Sequence, residues 1–224
     1  MRPRGLVVAI DGPSGAGKST VGRTLAERLG YTFIDTGAMY RAVAWQALVR
    51  DLALDDATAL GRLAQKARIE LRGSLPRVFV DGAEVTDRLR SREVSQAASR
   101  VSAHPTVRRA LVARQRELGR DGGVVMDGRD IGSVVFPDAE VKFYVDASPR
   151  QRAERRQREL AAAGTASDVD VVEAEIRARD EADSSRADSP LTRLPEALYI
   201  DTTALTPEAV VESMAAAVAS CGAR

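Results

Sequence analysis

The amino-acid sequence predicts an α/β fold with a five-stranded parallel sheet flanked by helices. Short apolar stretches alternate along the chain with longer segments of helical periodicity. The first stretch, 6–10, is apolar at every position, as expected for a strand covered on both faces of a parallel sheet. The 224 residues suit one domain, and 44% hydrophobic residues argue against disorder. Alternation of this kind implies right-handed crossovers between strands.

The predicted elements follow in chain order. Strands are expected at 5–10, 31–35, 124–127, 141–145 and 198–201. Helical periodicity predicts helices at 18–29, 38–49, 91–103, 106–118, 149–162, 170–182 and 207–219. One further helix is expected to end near Ala67.

Two segments interrupt this alternation. Asp81-Gly82 separates two alternating runs, and this dipeptide favours the tight turn of a β-hairpin. We therefore expect a small antiparallel sheet within 68–85, inserted beside the main sheet. Residues 150–189 are dense in charge, with a break between two helical patterns at 161–165. We interpret this second segment as a mobile, solvated helical hairpin outside the core.

Charge and composition exclude several classes of protein. The 33 Lys and Arg residues balance 32 Asp and Glu residues, and a net charge of +1 argues against a polycation that coats nucleic acid or an anionic membrane. Only three of the 33 cations are lysines, at positions 18, 66 and 142. Because the remaining cations are all arginines, a single arginine is a weak indicator of function here.

The cysteine and histidine content and the length of the apolar runs exclude further classes of site and protein. The one cysteine, Cys221, and the one histidine, His104, exclude an internal disulfide, a Cys-based zinc site and a His-containing catalytic triad. We expect no functional role for either residue. Cys221 is interpreted as a free thiol near the C-terminus, and His104 as a histidine at the entry to a helix, before Pro105. No apolar run approaches the roughly 18 residues of a membrane span. The apolar stretch before Asp11 is too short for a signal-peptide core, so a cytoplasmic protein is expected.

A phosphate-binding loop follows the first predicted strand. The residues Gly12-Pro13-Ser14-Gly15-Ala16-Gly17-Lys18-Ser19 fit G-x-x-x-x-G-K-[ST], and a helical pattern comes next. In such a loop, backbone N–H groups and the helix N-terminus surround phosphate, Lys18 reaches the β and γ oxygens, and Ser19 can coordinate Mg²⁺. The sequence therefore predicts a protein that binds a nucleoside triphosphate.

A small kinase suits this sequence better than other proteins with such a loop. The Asn-Lys-x-Asp base-recognition motif of GTP switches is absent, and nucleic-acid or protein motors are usually larger. A kinase needs a second, arginine-lined anion site and a lid that excludes water.

Two strand ends offer candidates for that second site, because ligands bind at the carboxyl ends of strands in such sheets. The segment 35–41 follows the second strand, with Thr36 as a candidate helix cap and Arg41 in the first turns. Asp127 ends the third strand, where a metal-binding carboxylate near Ser19 is expected. Gly128 permits a bend that exposes the next two residues, Arg129 and Asp130.

The charged segment 150–189 offers a third set of candidates. On a helix, Arg179, Asp183 and Arg186 fall on one face, at i, i+4 and i+7. Arginine suits phosphate binding because its guanidinium group makes bidentate hydrogen bonds. The first half of the segment is crowded with arginines: Arg150, Arg152, Arg155, Arg156 and Arg158.

Taken together, these features resemble the bacterial cytidylate kinases along essentially the whole chain. The resemblance lies in the loop 12–20, which it extends to Thr20, in Asp-Thr-Gly-Ala-Met-Tyr-Arg at 35–41, in the motif at 127–139, in 179–186 and in the inserted sheet. It implies the P-loop kinase fold and the transfer of phosphate from ATP, with Mg²⁺, to CMP or dCMP. We expect a monomer without nucleic-acid or membrane partners.

The resemblance also implies a division of the single domain 1–224 and a role for individual residues. The core would comprise 1–35, 104–149 and 190–224, the monophosphate-binding region 36–103, and the lid 150–189. Cytosine would contact Thr36, Arg108, Asp130 and Arg186. The pentose would contact Ser99, Arg179 and Asp183, and the acceptor phosphate Arg41 and Arg129. Lys18 with the lid arginines Arg155 or Arg156 would neutralise the transferred group, and Mg²⁺ would lie near Ser19 and Asp127.

The chemistry of cytosine fits this set. A carboxylate such as Asp130 accepts from the N4 amino group, while uracil would place its O4 oxygen there and leave a group unpaired at a cost of about 1–3 kcal/mol. The attacking phosphate of CMP is largely dianionic above its second pKa of about 6, so no catalytic histidine is needed.

Two alternatives stay open at this point. One is a related kinase for UMP, AMP or a hydroxyl-bearing metabolite, and a hydroxyl acceptor would need a general base, for which Asp35 is the candidate. The other is an NTP-gated RNA-binding protein. The near-neutral charge and 4% aromatic residues count against RNA binding.

Overall fold

A five-stranded parallel sheet organises the fold, as the sequence predicts. The computed structural model describes residues 2–73, 77–162 and 164–222. The strand order is β2-β6-β1-β7-β8, and every neighbouring pair is parallel. These strands span β1 (Val7–Asp11), β2 (Thr32–Asp35), β6 (Val124–Asp127), β7 (Val141–Asp146) and β8 (Leu198–Asp201).

The helices lie within a few residues of their predicted bounds. In chain order they are α1 (Lys18–Leu29), α2 (Thr36–Val49), α3 (Ala57–Lys66), α4 (Arg92–Ser102), α5 (Pro105–Gly119), α6 (Pro149–Ala162), α7 (Val169–Ser184) and α8 (Pro207–Gly222). Within the described ranges, no helix is long and apolar enough to cross a bilayer.

The central strand β1 is buried along its whole length because helices cover both faces of the sheet. Val8 and Ile10 pack in a cluster with residues of α1 and α8. Val7 and Ala9 point to the opposite face, into a cluster that includes Val112 of α5. This two-sided burial explains why the strand is apolar at consecutive positions instead of alternating.

The inserted sheet is antiparallel, in the order β3-β4-β5. Its strands are β3 (Ile69–Arg72), β4 (Arg77–Val80) and β5 (Ala83–Glu84). Both turn residues between β4 and β5 have positive φ, +52° at Asp81 and +88° at Gly82, as a type I′ turn requires. The sheet packs with α2, α3 and α4 in a third hydrophobic cluster.

Helices α6 and α7 form a hairpin that is less solvated than the sequence suggests. Four buried apolar residues pack between the two helices: Ala153, Leu160, Val172 and Ile176. Helix α7 also ends at Ser184, so Arg186 lies beyond the helix and not on its face. The hairpin thus lies outside the main core clusters but has a small apolar cluster of its own. The expectation that Arg179, Asp183 and Arg186 share one helical face is wrong for Arg186.

Candidate active site

The phosphate-binding loop joins β1 to α1, and two of its glycines are required by close backbone packing or by a positive φ. At Gly12, φ is +144°, and a Cβ atom would lie 1.9 Å from the carbonyl oxygen of Val145. Gly17 has a φ of +93° at the start of α1. A side chain at Gly12 would therefore collide with the backbone, while at Gly17 the positive φ alone disfavours any other L-residue. The loop is therefore shaped by the adjoining strands as well as by its own sequence.

Lys18 is buried at the start of α1. Its Nζ donates a hydrogen bond to the carbonyl oxygen of Pro13 at 2.6 Å, inside the loop. Burial, together with the positive charge of Arg129, lowers the pKa of Lys18. A buried ammonium group in a loop of this shape favours a bound anion.

Ser19, in the first turn of α1, contacts Asp127, the last residue of β6. The Ser19 hydroxyl donates to Oδ2 of Asp127 at 2.6 Å, while Oδ1 of Asp127 is buried without a hydrogen-bond partner. Burial and the neighbouring Asp35 raise the pKa of Asp127.

An oxygen pair of this kind fits a magnesium ion. Among the described residues there is no group of three or more His, Cys, Asp or Glu side chains that could hold a metal. Magnesium does not need one, since it usually binds one or two protein oxygens together with substrate phosphates and water. The hydroxyl of Ser19 and the unpartnered oxygen of Asp127 are suitable hard ligands.

The start of α2 differs from the prediction. Asp35, not Thr36, is the helix cap, because its Oδ1 accepts the N–H of Ala38 at 2.8 Å. The Thr36 hydroxyl donates instead to the carbonyl oxygen of Asp127 at 2.7 Å. Asp35 also forms an ion pair with Arg41 at 2.9 Å. The carboxylate considered as a general base is therefore occupied by a cap and an ion pair.

A buried ion pair follows β6. Arg108 of α5 donates to Oδ2 of Asp130 at 2.5 Å, and the two residues are 3% and 4% exposed. The strand end before this pair is closely packed, because a Cβ atom at Gly128 would lie 2.6 Å from Cδ1 of Ile131 and 2.9 Å from the hydroxyl oxygen of Thr36. Burying two charges carries a desolvation cost, so such a pair is weak evidence for stability. Its place at a strand end is evidence for a role in binding.

Three arginines surround Asp183 of α7. Arg129 donates to it at 2.9 Å, and Arg186 lies at 3.3 Å from it. Burial alone would raise the pKa of Asp183, but Arg129, Arg179 and Arg186 together hold it below its usual value. Burial, together with Arg129, lowers the pKa of Arg179 to about 10, and Nε of Arg179 is buried without a partner. The cluster has more cationic than anionic groups and suits an anionic ligand.

The α6–α7 hairpin reaches the phosphate-binding loop through arginines of α6. Arg155 donates to the backbone and hydroxyl oxygens of Thr202 at 2.6 and 2.9 Å, and to the carbonyl oxygen of Ala16 at 3.3 Å. Arg156 instead pairs with Glu159 at 3.0 Å and donates to the hydroxyl of Ser95 on α4 at 3.5 Å. Of the two arginines expected at the transferred group, the structure therefore brings only Arg155 to the loop.

Arg152 makes a connection that sequence reasoning did not single out. It is buried and donates to the carbonyl oxygen of Ser14 at 3.1 Å and to Asp180 of α7 at 2.5 Å. Nothing in the sequence separates Arg152 from its neighbouring arginines, since its contacts depend on how α6 packs.

Ser99 stands apart from the other candidates. It is half-buried on α4, and its carbonyl oxygen accepts the hydroxyl of Ser102 at 2.9 Å. Within the described part of the chain, its hydroxyl forms no hydrogen bond with the other candidate residues.

Comparison with known proteins gives consistent matches over the whole chain. The family model described as cytidylate kinase matches residues 8–220. A cytidylate kinase of Geobacillus sp. (strain WCH70) is 51% identical over 207 residues, covering 92% of both chains. A cytidylate kinase of Symbiobacterium thermophilum is 50% identical over 214 residues, covering 94% of this chain and 95% of that protein. The crystal structure of an uncharacterized protein from Eubacterium ventriosum shares the fold, with a TM-score of 0.51 at 10% identity over 96% of this chain and 99% of that chain.

Proposed function

The chain belongs to the cytidylate kinase family, and on this premise we propose that it transfers the γ-phosphoryl group of ATP, with Mg²⁺, to CMP or dCMP. The products are ADP and CDP or dCDP. The observation that carries the choice of acceptor is the buried Arg108–Asp130 pair, placed at the end of the strand next to the phosphate-binding loop.

The donor side is formed by the loop 12–20. Its backbone N–H groups would surround the phosphates of ATP, and Lys18 would neutralise their charge, which would raise its depressed pKa again. Ser19 and Asp127 would hold Mg²⁺, which supplies charge neutralisation for the phosphate oxygens when bound.

Cytosine would be recognised by side chains at the strand ends. A carboxylate oxygen of Asp130 accepts from the N4 amino group, while Arg108, Thr36 and Arg186 donate to the ring nitrogen N3 and the carbonyl oxygen O2. The Arg108–Asp130 bond of 2.5 Å supports this, because it fixes the orientation of the carboxylate before the base arrives. Uracil offers an oxygen where Asp130 needs a donor.

The remaining contacts would hold the pentose and the acceptor phosphate. Ser99, Arg179 and Asp183 are proposed for the pentose, and Arg41 and Arg129 for the phosphate. The unpartnered Nε of Arg179 has hydrogen-bonding capacity to spare. In the structure Arg41 pairs with Asp35, and Arg129 pairs with Asp183. A bound phosphate would displace each carboxylate from its arginine or bind the same arginine beside it.

Catalysis would rest on alignment and charge stabilisation. The nucleophile is a phosphate oxygen that is largely deprotonated at neutral pH, so no general base is required. Arg129 and Arg41 hold the acceptor against repulsion from ATP, while Lys18 and Arg155 stabilise charge on the group in transfer. Arg152 is a further candidate for ordering the loop, through its bond to Ser14.

The α6–α7 hairpin would act as the lid within 150–189, closing over the core and the monophosphate-binding region 36–103. Its arginines gain phosphate partners only when both nucleotides are bound, which protects ATP from water. We propose that the enzyme works as a cytoplasmic monomer.

Formation of ADP from MgATP tests this function, with CMP, dCMP, UMP, AMP and no acceptor compared side by side. We expect turnover with CMP and dCMP well above that with UMP, and little loss of ATP without acceptor. Turnover confined to another nucleotide would reject the assignments of Arg108 and Asp130. Absence of acceptor-dependent turnover, together with RNA binding that weakens steeply with salt, would favour the RNA-binding alternative.

A further inference from the structure

Asp11 links the two halves of the site through its side chain. It is the last residue of β1, directly before Gly12, and is 7% exposed. Its Oδ1 accepts the N–H of Ile131 at 2.8 Å, and its Oδ2 accepts the N–H of Gly132, also at 2.8 Å. Both carboxylate oxygens are therefore bound by consecutive amides of the segment that follows β6.

These bonds begin where the hydrogen bonds of the sheet end. The register of β1 and β6 runs to the pair Ile10–Asp127, followed by one more bond from the N–H of Gly128 to the carbonyl oxygen of Ile10 at 2.9 Å. Beyond Gly128, the two hydrogen bonds to the side chain of Asp11 link β1 to the segment after β6. The carboxylate thus continues a connection that the backbone no longer makes.

The anchored segment is the one that positions Asp130. Residues Ile131–Val135 form a single wide helical turn, in which the N–H groups of Val134 and Val135 donate to the carbonyl oxygen of Asp130 at 2.8 and 3.1 Å. Asp11 holds the first two amides of this turn, so it determines where the backbone leaves Asp130. A shift there would move Arg129 and Asp130 together.

Two further observations suit a carboxylate at this position. Burial raises the pKa of Asp11 to about 6, while the two amide hydrogen bonds oppose that rise and favour the charged form. Gly132 permits the close approach, since a Cβ atom there would lie 3.3 Å from Oδ2 of Asp11 and 3.1 Å from Cδ of Lys142. An Asn side chain has one acceptor oxygen and would turn an N–H donor toward the second amide.

We propose that Asp11 is a positioning residue for phosphoryl transfer, which keeps Arg129 and Asp130 in register with the phosphate-binding loop. The inference rests on the proposed function, because Arg129 and Asp130 need this register only if they hold the acceptor nucleotide. Asp11 itself touches neither nucleotide in this proposal. It acts on the acceptor through the backbone of 129–132.

Two variants of the full chain test the link from both sides. Asp11→Asn removes one acceptor while it keeps the shape of the side chain. Gly132→Ala retains the charge of Asp11 and crowds the same bond from the opposite side, which separates geometry from charge. The matched control is Glu140→Gln, because Oε2 of Glu140 accepts the N–H of Val7 at 2.8 Å at the other end of the same strand, away from the site.

The measurements are kcat and KM for CMP, UMP and ATP, and hydrogen exchange at the amides of Ile131 and Gly132. For Asp11→Asn we expect kcat/KM with CMP to fall about 10- to 100-fold, a reduced preference for CMP over UMP, and a KM for ATP within about twofold of the original. Gly132→Ala should change these values in the same direction but less. Exchange at both amides should be faster in Asp11→Asn, and Glu140→Gln should keep its kinetics within about twofold.

The proposal is overturned if Asp11→Asn loses no more kcat/KM with CMP than Glu140→Gln does. It is also overturned if KM for ATP rises while the preference for CMP over UMP is unchanged, since Asp11 would then serve the donor loop. Should Asp11→Asn fail to fold, Gly132→Ala decides alone, and an unchanged base preference in that variant rejects the role. Failure of the unmodified protein to phosphorylate CMP would instead reject the proposed function, and this is seen before any variant is compared.

Discussion

The strand ends and the α6–α7 hairpin hold their polar groups by different physical means. At the strand ends, Asp11 and Asp127 terminate strands in which every residue is buried. The hairpin has its own cluster of four buried apolar residues and meets the rest of the site through charged groups such as Asp183. It also reaches the loop through Arg152, which donates to the carbonyl oxygen of Ser14, and through Arg155, which donates to that of Ala16.

This difference matches what each region would have to do. Groups on β1 and β6 are supported by a packed sheet, so they can keep fixed distances during the reaction. An ion pair such as Arg129–Asp183 can give way to a phosphate, because Arg179 and Arg186 remain beside Asp183, so the hairpin can open and close. The comparison predicts that substitutions at the strand ends alter the rate of phosphoryl transfer and the selectivity for the acceptor base. Substitutions inside the hairpin should instead alter how readily the hairpin opens.

The largest effect is expected at the junction of the two regions. Arg129→Ala removes the guanidinium group proposed to hold the acceptor phosphate, and kcat should fall about 100- to 1,000-fold while the affinity for ATP changes little. Steady-state kinetics and equilibrium binding of ATP measure the two effects separately. Arg92→Ala is the matched control, because Arg92 pairs with Glu175 and also connects the body of the protein to α7, on an exposed surface. Equal turnover in the two variants would contradict the proposed role of Arg129 in holding the acceptor phosphate.

A smaller effect, on selectivity, is expected for Asp130→Asn. The amide still accepts from Arg108, but it no longer distinguishes an N4 amino group from an O4 oxygen, so the ratio of kcat/KM for CMP and UMP should fall about 10-fold. Parallel assays with the two nucleotides give this ratio. Asp180→Asn provides the control. It neutralises a carboxylate that pairs with Arg152 within the hairpin and should leave the ratio of kcat/KM for CMP and UMP unchanged. A ratio that stays the same in Asp130→Asn would exclude Asp130 from base recognition.

The magnesium site should show a more modest response. Ser19→Ala removes the hydroxyl beside Asp127, and the Mg²⁺ concentration needed for half-maximal activity should rise about fivefold, because one hard ligand is lost while Asp127 and the phosphates remain. A magnesium titration at fixed ATP measures the change. Thr24→Ala removes an exposed hydroxyl from the same helix and should have no effect on the titration. An identical magnesium dependence in Ser19→Ala would remove Ser19 from the metal site.

The smallest effect on global stability is expected inside the hairpin. Leu160→Ala should lower the global free energy of unfolding by less than about 1 kcal/mol if the hairpin opens before the core, whereas Leu25→Ala in α1 should cost about 2–5 kcal/mol. Denaturant titration gives the global values, and hydrogen exchange shows whether 150–189 alone becomes less protected. A comparable loss of global stability in both variants would mean that hairpin and core unfold as one unit.

Sequence reasoning predicted much of the sheet and the loop because both depend on local signals. The apolar run of β1, the type I′ turn at Asp81-Gly82 and the loop 12–20 are each encoded within about ten neighbouring residues. The resemblance supplied the candidate residues around the second nucleotide, and the structure brings most of them to the same strand ends. Among the described residues, Ser99 and Arg179 form no hydrogen bond with other members of that set, although Arg179 lies close enough to Asp183 to affect its pKa.

What the sequence by itself determined, then, is the α/β architecture and the phosphate-binding loop, because periodicity and glycine spacing act over short distances along the chain. Only the tertiary structure decided between neighbouring residues of similar chemistry. It shows that Asp35 rather than Thr36 caps α2, and that Arg152 rather than Arg156 reaches the loop. The physical reason is that contacts between distant residues settle both choices. The Thr36 hydroxyl is taken by the carbonyl oxygen of Asp127, 91 positions away, and Arg152 reaches Ser14 across 138 positions. Asp11 and Ile131 are 120 positions apart, a separation that no local pattern encodes.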